Sequence, residues 1–129
     1  MEIVKFKPTY KTDEGLVVID ESSVPIPKGF TIKERSVVIF PSNSTGGNHK
    51  HPRKELFYTT DDLKFIYLDG IKKEISMAPE NGEFKLFIVE PGLPHVVVNR
   101  TNKEISMFEF ADDVQHDVEE VNLLSDEEE

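Results

Sequence analysis

Nine short runs of β-branched and aromatic residues, each closed by a turn signal, constrain this chain more than any other feature. The runs are EIVKFK, LVVID, TIKERSVVIF, LFYTT, LKFIYLD, IKKEISMA, FKLFIVE, HVVVN and EISMFEF, and the signals between them include PKG, PSNSTGG, TDD, DG, ENG and PGLP. Such residues suit a pleated, half-buried surface. Gly, Pro, Asn and Asp supply the backbone geometry that tight turns need. No helical period precedes residue 112 and no internal repeat is visible. Many short strands at this spacing predict an all-β sandwich or barrel, one domain over residues 1–111.

The chain changes character at Asp112. From that residue onward there are nine acidic residues and no Lys or Arg, which leaves the body nearly neutral although the whole chain carries a formal charge of −10. The segment 112–129 therefore reads as an acidic tail, more a solubilising end than a docking motif. Val114, Val118, Val121 and Leu124 follow helical spacing, so a short C-terminal helix is one expectation. An extended tail lying across the barrel is the other. The final SDEEE, residues 125–129, is expected to be disordered.

Composition excludes several functions. There is no cysteine, hence no disulfide, no thiolate ligand and no thiol nucleophile. No apolar run is long enough to span a membrane as a helix, and the start does not read as a signal peptide. A cytoplasmic protein is expected. Without a basic stripe or aromatic-basic alternation, nucleic acid is not an expected partner. Lys50, Arg53 and Lys54 form the one local basic cluster, read here as a solvated loop. His116, in the tail, is read as solvated too.

Four residues carry the candidate chemistry: His49, His51, Glu55 and His95. They stand in GGNHKHPRKE and EPGLPHVVVN, with spacing H-x-H-x3-E and, forty residues on, G-x2-H-x3-N. Three imidazoles and a carboxylate make a full donor set for a divalent transition metal such as iron, manganese, nickel or zinc, with room for water or substrate. His49, His51 and Glu55 are all odd-numbered, so along an extended chain they face one side. The simplest geometry ends one strand at His51, turns at Pro52-Arg53 and starts another at Glu55. His95 opens a separate strand, with Asn99 on the same face.

This pattern resembles the two motifs of the cupin superfamily. The resemblance covers about residues 30–110 and implies a double-stranded β-helix, or jelly-roll, barrel with the four residues as metal ligands on its inside. All ligand positions match. The turn positions match in part: Asn43 and Asp62 replace glycines of the first motif, and Phe84 and Glu90 replace a glycine and a proline of the second. Asn and Asp tolerate a left-handed backbone better than other non-glycine residues. Tyr58, Phe57, Phe65, Tyr67 and Phe87 are the aromatics near the site in sequence, and most are expected to fill the barrel.

Within cupins, the strings FTIKERSVVIF, NHKH and MFEFADDVQHD look similar to the nucleotide-sugar 3,4-ketoisomerases. That resemblance implies a metal-free site in which His49 and His51 act as catalytic acid and base, work suited to an imidazole. The chain departs from that branch: Gly46 stands where an arginine is usual, and SVVIF carries no tyrosine. The leading expectation is a metal-binding cupin acting on a small hydroxy, keto or sugar-like substrate. The alternatives are the sugar isomerase and a non-catalytic ligand-binding cupin. Small cupins usually pair, and the apolar strands Ile3–Phe6 and Leu16–Ile19 need covering, so a homodimer is expected.

Overall fold

The computed structural model describes residues 1–124; the tail residues 125–129 and the disorder expected of them lie outside the described residues. Twelve strands follow one another: β1 Glu2–Phe6, β2 Tyr10–Lys11, β3 Val17–Val18, β4 Glu34–Phe40, β5 Ser44–Lys50, β6 Glu55–Thr59, β7 Lys64–Asp69, β8 Ile71–Ser76, β9 Phe84–Val89, β10 His95–Asn99, β11 Ile105–Ala111 and β12 Glu119–Glu120. A single 3-10 turn covers Glu21–Ser23, and no α-helix occurs among the described residues. One five-stranded sheet has the order β1-β9-β6-β11-β4, a second the order β12-β5-β10-β7-β8, and β2 and β3 form a small ribbon. Every pairing is antiparallel. The architecture is the expected all-β jelly-roll barrel.

Alternation along the strands builds two apolar layers. In β6, Phe57 joins a core with Phe87 of β9, Phe65 and Tyr67 of β7, and Val97 of β10. Because these residues come from both large sheets, this core fills the barrel. The neighbours of Phe57, Leu56 and Tyr58, face outward and pack with Phe84, Leu86 and Ile88 under Ile19, Ile26, Phe30 and Ile32. The segment between β1 and β4 thus covers the outside of the first sheet. Each large apolar side chain buried this way contributes about 1.5–3 kcal/mol. Tyr58 belongs to the outer layer, stacked on Phe108, and so stands away from the site.

Two expectations are corrected. The string PSNSTGG reads as a turn signal, but its last four residues, STGG, belong to β5, which is paired with β10. Both glycines have physical reasons. A Cβ on Gly46 would come within 2.6 Å of the Phe40 ring, and Gly47 has φ +95° beside an irregularity in the ladder to β10. Such a bulge needs a left-handed residue, which glycine provides without cost from a side chain. Asn43 also takes a left-handed φ of 53°, as its place in the first motif requires, whereas Asp62 is not among the residues with positive φ.

The second correction is the C-terminal helix, which does not form among the described residues. The tail is extended instead. Asp117 has φ 46°, which interrupts any helix there. Glu119 and Glu120 then pair with Lys50 and His49 at the edge of β5. Leu123 and Leu124, adjacent in sequence, are both buried against Ile66, Val96 and Val98. Pairing a bare sheet edge and covering its outer apolar face outweighs a three-turn helix that would be marginal alone.

Candidate metal centre

β5 and β10 bring two of the histidines together. His49 and His95 are cross-strand partners. β5 ends one residue before His51, Pro52 and Arg53 lie in the following bend, and β6 opens at Glu55. β10 opens at His95, immediately after the Pro91–Pro94 turn, where Gly92 has φ +82°. This is the geometry expected from the spacing. All four candidate residues line one cavity of about 150 Å³, together with Phe57 and Glu109.

Three of the four converge closely. Donor atoms of His51, Glu55 and His95 lie within 4.8 Å of one another, and all three residues are buried. Glu55 Oε1 is 3.5 Å from His95 Nε2 and 3.9 Å from His51 Nε2. His49 is outside that group although it lines the same cavity, half-buried, with its ring centroid 5.8 Å from that of His51.

Hydrogen bonds fix which nitrogens face inward. His95 Nδ1 is 2.8 Å from the Leu93 carbonyl oxygen, which can only accept. Nδ1 therefore carries the proton and Nε2 offers its lone pair towards Glu55. Phe65 stacks on the His95 ring at 5.6 Å and 15°, and Phe57 packs at 5.8 Å, so the ring cannot swing. His51 differs: its buried Nδ1 has no hydrogen-bond partner.

The electrostatics follow from burial. Desolvation pushes the His51 imidazole down to about 4, and His95, Arg53 and His49 add to the effect. His95 is held below its ordinary value by burial, partly opposed by its bond to the Leu93 carbonyl. Burial raises the Glu55 carboxyl to about 7, with Glu109 adding and Arg53 opposing. At neutral pH both rings are uncharged, so their approaches to Glu55 are not ion pairs. Neutral imidazoles and an ionised carboxylate are the donor forms a divalent cation takes, and a cation among them would favour loss of the proton that burial helps Glu55 to keep. Ligands held about 2.1 Å from one ion lie about 3–3.5 Å apart, close to the observed separations. The residues present fit a metal.

Arg53 corrects the reading of a solvated basic loop. It is 4% exposed. Its Nε donates to Glu55 Oε2 at 3.0 Å, and its Nη1 donates to Glu34 Oε1 at 2.7 Å and to the Asp113 carbonyl at 3.0 Å. A guanidinium can be buried here because carboxylates surround it. Lys54 and Lys50 pair instead with Glu90 and Glu119 near the surface. Arg53 and Glu109 are the site residues that motif reading misses. Each carried a signal: Arg53 shares odd parity with His51 and Glu55, and Glu109 falls on the inward register set by Ile105 and Met107. Burial raises the Glu109 carboxyl, with Glu34 adding and Arg53 opposing. His116 is exposed, as read, between Asp113 and Asp117.

No protein-family model matches the sequence. No curated protein matches it either. Solved structures do. A dTDP sugar isomerase from Desulfovibrio desulfuricans G20 aligns over 94% of this chain and 84% of its own, with a TM-score of 0.74 and 11% identity. A 3,4-ketoisomerase from Helicobacter canadensis aligns over 90% and 85%, with a TM-score of 0.69 and 14% identity. The capsular polysaccharide assembling protein CapF from Staphylococcus aureus aligns over 69% of this chain at a TM-score of 0.61 and 18% identity, but the match spans only 28% of that longer protein. The strand order and these likenesses agree on the fold: a small cupin-type jelly-roll barrel, similar in architecture to those two isomerase structures.

Proposed function

We propose that the protein is a metal-binding cupin acting on a small oxygenated substrate, a hydroxy or keto compound. His51, Glu55 and His95 hold the cation, and His49 supplies the fourth ligand from the facing strand. One observation carries this reading. The donor atoms of three buried residues lie within 4.8 Å of one another, yet neither imidazole Nε2 lies within 3.2 Å of Glu55. Buried polar groups are ordinarily satisfied, so a cluster left open in this way is arranged for something that binds it.

A bound divalent metal supplies Lewis acidity towards a carbonyl or hydroxyl oxygen. The chain's own residues do the rest. Leu93 fixes the His95 tautomer, while Phe57 and Phe65 keep water from one side of the ring and hold it in place. Glu109 presents a carboxyl to the cavity that keeps its proton more readily than an exposed acid, a group able to exchange a proton with a bound substrate. The volume of about 150 Å³ is well below the roughly 300 Å³ at which ordinary small-molecule sites begin. That favours a substrate of few atoms.

The near full-length likeness to sugar isomerases supports a second reading, a metal-free 3,4-ketoisomerase with His49 and His51 as acid and base. Fold alone does not choose a reaction. In this cavity only the sugar would fit, with the nucleotide outside the barrel. Val37 and Ile39, more than half exposed on edge strand β4, support a homodimer, since a second copy would cover them.

Elemental analysis of protein purified without a histidine tag tests the first reading. Near-stoichiometric iron, manganese, nickel or zinc in the wild type, lost in His51→Ala with its far-ultraviolet β spectrum intact, is the expected result. A site that stays empty after dialysis against those metals, together with thermal protection by a dTDP-sugar, would transfer the assignment to the isomerase.

A further inference from the structure

Arg53 lies outside the donor set and yet touches it. Its Nε and Nη2 are both 3.0 Å from one oxygen of Glu55, Oε2. The other oxygen, Oε1, is the one that faces His51 and His95. The guanidinium is anchored independently of Glu55, through Nη1 to Glu34 and to the Asp113 carbonyl, and more loosely through Nη2 to Gln115 Oε1 at 3.4 Å. With side-chain exposure of 3% on both partners, neither group can exchange its contacts for water.

We propose that Arg53 is a positioning residue that commits Glu55 to the metal through Oε1 alone. This rests on the metal reading above. A carboxylate can hold a cation with one oxygen or with both. Here the guanidinium Nε donates to Oε2 and Nη2 sits in ion-pair contact with the same oxygen. Rotation of Glu55 to offer both oxygens would strip the Arg53 Nε of its acceptor in a buried setting, where a donor left without a partner is costly. Glu34 and the Asp113 carbonyl stop the guanidinium from following. The C-terminal segment, through Asp113 and Gln115, thereby becomes part of what orients a ligand on β6. A lysine could keep the charge but not the fork.

Cobalt(II) titration of the full-length protein tests this without an assay of activity. Wild type, Arg53→Lys and Arg53→Met are compared for cobalt affinity and for the visible absorption of the saturated protein. Both variants are expected to bind about 10–100-fold more weakly and to show altered band positions and intensities, because Glu55 is free to add its second oxygen. Lysine should not restore the wild-type spectrum. A lesion that merely loosened the fold would lower affinity but leave the spectrum of the saturated site unchanged. If Arg53→Met does not fold, Arg53→Lys alone decides. Variants that bind as the wild type does, with superimposable spectra, overturn the role of Arg53 and leave the metal reading intact. A wild type that takes up no cobalt overturns both.

Discussion

β10 buries a polar side chain at each end of the same inward face, and the two are treated differently. At its end, Asn99 is wholly buried and fully used. Its amide nitrogen donates to the carbonyls of Phe40, Pro41 and Lys103, and its oxygen accepts from the backbone and hydroxyl of Thr101. At its start, His95 has one nitrogen satisfied by Leu93 and the other aimed at Glu55 from 3.5 Å, while nearby His51 Nδ1 has no partner. Burial alone therefore does not mark a functional polar residue. Asn99 ties the turns beside β4 and β10 and is finished by the protein. The His51–Glu55–His95 cluster is not.

If this contrast is right, the two ends respond oppositely to truncation. The largest effect is expected at the finished end. Asn99→Ala removes every one of these bonds from a wholly buried site and should destabilise the fold by about 3 kcal/mol, measured by urea unfolding in chelator. Loss of less than about 1 kcal/mol would erase the distinction. His51→Ala removes an unsatisfied buried nitrogen along with its ring contacts. In chelator it should change stability by no more than about 1 kcal/mol. The same variant should lose the rise in melting temperature that added metal gives the wild type. A large loss without metal would make His51 a structural residue like Asn99.

The smallest effect concerns Glu109 and is a matter of pH. Burial lifts its folded-state pKa above the ordinary carboxyl value of 4.5. The folded state therefore holds a proton that the unfolded chain releases. The contribution of Glu109 to stability is fully present below about 4.5 and is lost as pH rises through the folded value. Glu109→Gln, which cannot ionise, should gain on the wild type as pH increases above 4.5, in metal-free urea titrations at several pH values. A difference that does not vary with pH would contradict the raised value.

Much of this was legible before the structure. Short β-branched and aromatic runs closed by turn signals gave the barrel; in the structure inward Phe57 and Val97 alternate with outward Leu56 and Val96. The spacing of His49, His51 and Glu55 and the turn before His95 placed these four candidate residues at or beside strand ends. What failed depended on partners distant in sequence. The STGG that ends PSNSTGG has the composition of a turn and joins β5 because β10 supplies a ladder for it. Arg53 looks like a solvated cation until Glu34, nineteen residues earlier, and Glu109, on β11, are folded around it. The tail's helical spacing was real, but a bare edge at β5 and an apolar outer face were available to it as an extended strand. The separation of His49 from the tight donor cluster was invisible as well, because parity gives the face of a side chain and not its reach.

The most direct test of the open donor cluster is anomalous diffraction from crystals grown with manganese or zinc. A single strong peak within about 2.5 Å of His51 Nε2, Glu55 Oε1 and His95 Nε2 is the predicted result. Fully soaked crystals with no peak among those atoms, or with the metal only on surface carboxylates, would contradict the account.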